Sequence, residues 1–132
     1  MDSSNIEFYR DSIDYILDVQ SPDGSIPWEP SKKLDPWDHV EAAMGLSIAG
    51  KKKETEKAFL WLKNNQLADG SWYSEYIKSR PTTKRRETNF SAYIATGLWH
   101  YYLIFQDQEF LETMLPTPVS YTHLRAHETE SN

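Results

Sequence analysis

Lys57-Ala58-Phe59-Leu60-Trp61-Leu62-Lys63-Asn64-Asn65-Gln66-Leu67-Ala68-Asp69-Gly70-Ser71-Trp72 opens as a helix and closes as a turn. Ala58, Phe59, Trp61 and Leu62 stand among lysines and glutamates, so one face packs and the other meets water. Gln66 falls where the helix leaves carbonyls without partners, and its amide can donate to them and accept from the amides that follow. Gly70 permits a left-handed turn, and Trp72 is expected over the Gln66 amide. This reading makes Gln66, Asp69, Gly70 and Trp72 structural fasteners. Forty-six residues earlier Gln20-Ser-Pro-Asp23-Gly24-Ser25 repeats the phrase, giving Gln20 and Gly24 the same task. Two copies suggest a helical-hairpin repeat. Glu41 and Glu87 share the offset of 46, whereas an offset of 52 pairs Ala43, Gly45 and Leu46 with Ala95, Gly97 and Leu98; both registers stay open.

Outward from the repeat, the pattern predicts four main helices at about 5–19, 36–49, 52–65 and 88–105, with no long strand. Ser4-Asn5-Ile6-Glu7 is a capping box for the first. Asp35-Pro36 supplies an N-cap and a proline suited to the first position of the second, and Gly50 is its stop. Asp107 can cap a short fifth helix ended by Pro116. The first and third helices are apolar on one side. Val40 to Ala49 and Phe90 to Ile104 are apolar nearly all round, which demands burial on several sides. The expected fold class is all-α: about two antiparallel hairpins with outer and inner helices alternating.

The motif as a whole resembles the QW motif of the terpenoid cyclase and prenyltransferase superfamily, squalene cyclases included. Lys57, Ala58, Trp61, Gln66, Gly70 and Trp72 match it in order. The first copy is degenerate, with Asp11-Ser12 at the basic and small positions and Ile26 in place of the tryptophan. The resemblance implies a partial α/α toroid whose remaining helices lie outside this chain, leaving apolar patches uncovered. It also implies an isoprenoid or diphosphate substrate and a site in the cup formed by inner-helix ends. Trp37, Asp38, His39 and Glu41 of the second helix then face that cup, with Arg86, Glu87, Asn89 and Tyr93 at the start of the fourth. Asp38 and Glu41 are the catalytic candidates, because a carboxyl in an apolar cup has a raised pKa and can protonate an alkene. Trp37, His39, Arg86, Glu87, Asn89 and Tyr93 are the substrate-binding candidates. Aromatic faces stabilise cations, and Lys78, Arg80, Lys84, Arg85 and Arg86 form a basic cluster able to hold a diphosphate. The acidic Asp-x-Asp-Asp signature of protonation-initiated cyclases is absent, Asp35-Pro-Trp-Asp38 being a loose approximation.

Two other classes compete. In a carbohydrate-active enzyme Asp38, Glu41 and Glu87 are acid–base carboxylates and Trp37 a sugar-stacking platform. In a non-catalytic repeat scaffold the concave face binds a partner.

The 132 residues suit one domain or part of one. No cysteine is present, which excludes disulfides and thiolate metal sites, including the zinc site of protein prenyltransferases. A net charge of −6 argues against a nucleic-acid footprint over the whole surface. No apolar run is long enough to span a bilayer, and Met1–Ser12 lacks the order of a signal peptide, so a cytoplasmic chain is expected. Val119 to Thr129, VSYTHLRAHET, resembles the in-frame translation of a sequencing adaptor. A domain over 1–118 and a poorly ordered non-native tail over 119–132 are expected, with the chain cut in mid-gene and the fragment inactive alone. His123 and His127, at the four-residue spacing of helical metal ligands, fall in that tail. No metal site and no cofactor is assigned to the fragment.

Overall fold

The computed structural model describes residues 3–87 and 90–119. Among these residues the main helices are α1 (Ser3–Val19), α2 (Pro36–Ile48), α3 (Lys52–Asn64), α4 (Ser91–Phe105) and α5 (Gln108–Met114). The capping box of α1, residues Thr88 and Asn89, and the expected tail apart from exposed Val119 lie outside the described side chains. Asp35 caps α2, accepting from the Trp37 amide at 2.8 Å with Pro36 behind it. Asp107 caps α5, accepting from the Phe110 amide at 3.0 Å. In both cases a carboxylate satisfies an amide that the first turn leaves free.

The all-α expectation is corrected. Five two-residue strands, β1 (Lys33–Leu34), β2 (Trp72–Tyr73), β3 (Tyr76–Ile77), β4 (Arg80–Pro81) and β5 (Arg86–Glu87), form two antiparallel sheets, making the chain mixed α and β. One sheet has the order β1-β3-β4, with Leu34 opposite Tyr76 and Ile77 opposite Arg80; the other pairs β2 with β5, Trp72 opposite Glu87. The physical reason is that Trp72 and Tyr76 are driven into the core. Backbone buried with them must pair, and aromatic residues fit a pleated ribbon. Lys78 and Ser79 turn β3 into β4 at φ of 50° and 62°, the two left-handed residues that a tight hairpin turn requires.

The core surrounds α2, which packs on α1, α3 and α4. Val40, Ala43 and Leu46 are completely buried against Phe59, Leu62, Ile94 and Leu98 in one apolar cluster. α2 and α4 run side by side in the same direction, Trp37 meeting Phe90 and Tyr93 at one end. Further along, a Cβ on Gly97 would stand 3.1 Å from Val40 and 3.2 Å from Phe59, so any larger residue would press on both side chains where the helices approach. The expectation of an α4 buried on every side holds only in part. Ile94, Leu98 and Tyr101 are buried, whereas Trp99, Leu103 and Ile104 are exposed.

The repeated phrase works as a clip. Gln20 donates to the carbonyls of Gly24 (3.2 Å) and Glu54 (2.9 Å), tying the end of α1 to the first turn of α3. Gln66 donates to those of Gly70 (3.1 Å) and Thr117 (2.7 Å), tying the end of α3 to the segment after α5. Asp23 and Asp69 each accept from the amide and hydroxyl of the serine two residues on, and Gly24 and Gly70 have φ of 94° and 88°. What holds Trp72 is its own indole N–H, which donates to the Leu62 carbonyl at 2.8 Å.

Candidate carboxylate and indole site

The shared starting ends of α2 and α4 gather four acids and three large aromatics. Trp37, on the first turn of α2, stacks obliquely on Tyr93 with ring centroids 4.9 Å apart and donates its indole N–H to Glu87 at 3.1 Å. One turn on, Glu41 accepts from the Tyr93 hydroxyl at 2.9 Å. Burial and the Glu41 carboxylate push the Tyr93 phenol up to about 12, so it stays a donor at any physiological pH. Asp38 accepts from the indole N–H of Trp28 at 2.5 Å. Helical spacing explains the grouping, because 37, 38 and 41 fall on one side of the first turn and a half of α2.

Asp35 is the carboxyl most altered by this company. Burial raises its pKa, and the nearby charges of Asp38 and Glu87 raise it further, against the lowering effect of its bonds to backbone amides. Sequence reasoning assigned Asp35 to a cap alone and did not single out Trp28. The signal for Asp35 was visible in Asp35-Pro-Trp-Asp38, where two acids three apart share a helical face. Trp28 had none, since its approach to Asp38 depends on how the loop after Pro27 folds back.

Other candidates do not join. His39 points into the core, completely buried, with Nδ1 accepting from the Ile26 amide at 3.1 Å and Nε2 donating to the Ala58 carbonyl at 2.8 Å. Burial lowers its pKa to about 4, so the ring is neutral, and both nitrogens are engaged by backbone. This corrects the placement of His39 in a cup: it is a strut between the 20–35 loop, α2 and α3. Arg86 turns from Glu41 to Asp69, which it meets at 2.6 Å. Hydrogen bonds from Ser71 and the Arg86 guanidinium hold Asp69 below the ordinary carboxylate range, so Arg86 is no free anion anchor. Asn89 lies outside the described residues. Gln20, Gly24, Gln66, Asp69, Gly70 and Trp72 lie in the two clips, and no cluster of three or more metal-binding side chains occurs among the described residues.

No protein-family model matches the chain. It is 42% identical over 107 residues to MMP endo-(1,4)-3-O-methyl-alpha-D-mannosidase of Mycolicibacterium hassiacum. The match takes in 81% of this chain and 30% of that protein, so the chain spans about a third of the relative's length. The relative is a glycosidase, and this overturns the resemblance to terpenoid cyclases and prenyltransferases together with its transferase and isoprenoid implications. The reason the motif misled is physical. A glutamine, a left-handed glycine and a tryptophan bonded to backbone carbonyls close the end of a helix, and that task is independent of any reaction. Of the classes weighed from sequence, the carbohydrate-active one accords with this relative.

Proposed function

We propose that this chain is part of a glycoside hydrolase acting on an α-linked mannose polymer, and that the shared end of α2 and α4 contributes to its active site. The observation that carries the reading is the convergence of Asp35, Asp38, Glu41 and Glu87 with Trp28, Trp37 and Tyr93, coupled with the glycosidase relative. Glycoside hydrolysis needs one carboxyl protonated and one ionised at the working pH. Asp35, whose pKa is raised by burial and by its acidic neighbours, is the proposed donor to the leaving oxygen. Asp38 and Glu41, oriented by Trp28 and Tyr93, are the carboxylates that activate water or hold sugar hydroxyls. Trp37, oriented by Glu87, offers the apolar face on which a pyranose ring stacks.

The test, made in the full-length protein of which this chain is a part, is hydrolysis of an α-(1,4)-linked 3-O-methylmannose oligosaccharide, followed by the appearance of reducing ends. Asp35→Asn keeps an N-cap, since Asn caps as well as Asp, and is expected to lower kcat by about 100-fold or more with little change in melting temperature. Asp38→Asn is expected to do the same. Full turnover in both variants refutes the assignment.

A further inference from the structure

Beside Asp38 lies a depression of which only the Trp28 indole N–H has been given a role. Trp28, Glu29, Lys32, Lys33 and Ile77 enclose an open volume of about 330 Å³. Trp28 is 46% exposed and Ile77 38%, so two large apolar side chains stand at the surface. They are held there firmly. The Trp28 amide donates to the Lys33 carbonyl at 3.0 Å, its carbonyl accepts from the Tyr15 hydroxyl at 2.6 Å, and its indole N–H donates to Asp38. The Lys33 ammonium stands 4.5 Å from the Trp28 ring centroid, and the β1–β3 pairing of Lys33 with Ile77 fixes the opposite wall. An indole so constrained and still half in water loses little freedom when a ligand lands on it.

Resting on the glycosidase reading, we propose that this depression is a subsite for one O-methylated hexopyranose unit of the polymer, next to the carboxylates. A volume of this size is at the small end of ligand pockets, enough for a single sugar ring. The C–H face of a pyranose suits an indole, and a methoxy group has an apolar counterpart in Ile77. Lys32 can donate to hydroxyl and ether oxygens at the rim, while Lys33 stays with the Trp28 ring and the Glu75 carboxylate, 3.8 Å away. Because Trp28 shares a hydrogen bond with Asp38, a chain seated on this platform continues past the carboxylates. An open depression, rather than a closed pocket, lets a polymer enter along its length.

The experiment follows the indole N–H signals of Trp28 and Trp37 by NMR while the protein is titrated with an α-(1,4)-linked tetrasaccharide of 3-O-methylmannose, then with its unmethylated counterpart. The Trp28 signal is expected to shift saturably, with affinity for the unmethylated sugar about fivefold weaker. Trp28→Ala is expected to weaken binding about tenfold or more, and Ile77→Ser, at a surface position, about threefold. Movement of Trp37 with Trp28 unaffected overturns the subsite while leaving the glycosidase reading intact. A silent response at both indoles overturns the two together, and equal affinity for both sugars overturns the methyl preference.

Discussion

Lowering the pH from 7 to 5 should cost this protein about 2 kcal/mol through His39 alone. In the unfolded chain the imidazole takes a proton near its ordinary 6.5; in the fold burial lowers that value to about 4. Between the two values the unfolded state binds more protons, so stability rises with pH. The contribution is complete above 6.5 and is lost as pH falls toward 4, where the loss amounts to about 3 kcal/mol at 1.36 kcal/mol per pH unit. Protonation would also force a second N–H against the Ile26 amide, which donates to Nδ1. Asp23 is the charged group whose attraction partly offsets the burial of His39. Burial alone would raise the Asp23 carboxyl, but bonds from Ser79 and Ser25 hold it below 3.8, beneath the window. Urea unfolding followed by tryptophan fluorescence at half-unit pH steps measures the slope, and His39→Gln provides a side chain that does not titrate. Between pH 6.5 and 5 the wild type should lose stability steadily while the variant changes much less. A flat wild-type profile, or a His39 resonance titrating above pH 6, would refute the buried strut.

Gly24→Ala places a Cβ 2.1 Å from the Lys57 carbonyl oxygen at φ 94°, and thermal unfolding should show a loss of about 3 kcal/mol or more. Gly50→Ala, at φ 78° with nothing within 4 Å, should cost only about 1 kcal/mol; equal losses would mean that the α3 backbone does not press on the first clip. Trp72→Phe removes the donor to the Leu62 carbonyl and part of a fully buried side chain, so denaturant unfolding should report about 2 kcal/mol lost. Ultraviolet titration of the wild type minus Tyr93→Phe should show one phenol ionising near 12, and ionisation near 10 would remove the contact with Glu41.

Local chemistry made much of the fold legible. Asp35-Pro36 and Asp107 announced helix starts because capping involves only the next few residues. The repeated phrase announced two clips because both copies keep glutamine, aspartate, glycine and serine at the same spacing. The hairpin at Lys78-Ser79 was hidden, since neither residue is a usual choice for a left-handed turn and the ribbon that imposes it is tertiary. The candidate site was half legible. Asp38, Glu41, Trp37, Glu87 and Tyr93 were named from their positions at helix starts, yet His39, between two of them, turns the other way because the next residue along a helix points about 100° around the axis.

The amino-acid sequence by itself determined where the helices run and that two glutamine clips close their ends, for these depend on neighbours within a few residues or on periodicity. Only the tertiary structure decided which carbonyls the clips grip, that the 72–87 segment pairs into strands, that Arg86 belongs to Asp69, and that Trp28 folds back onto Asp38. Those partners lie 10 to 51 residues apart. Which of several possible contacts closes over such distances is set by the packing of the whole core rather than by any local preference.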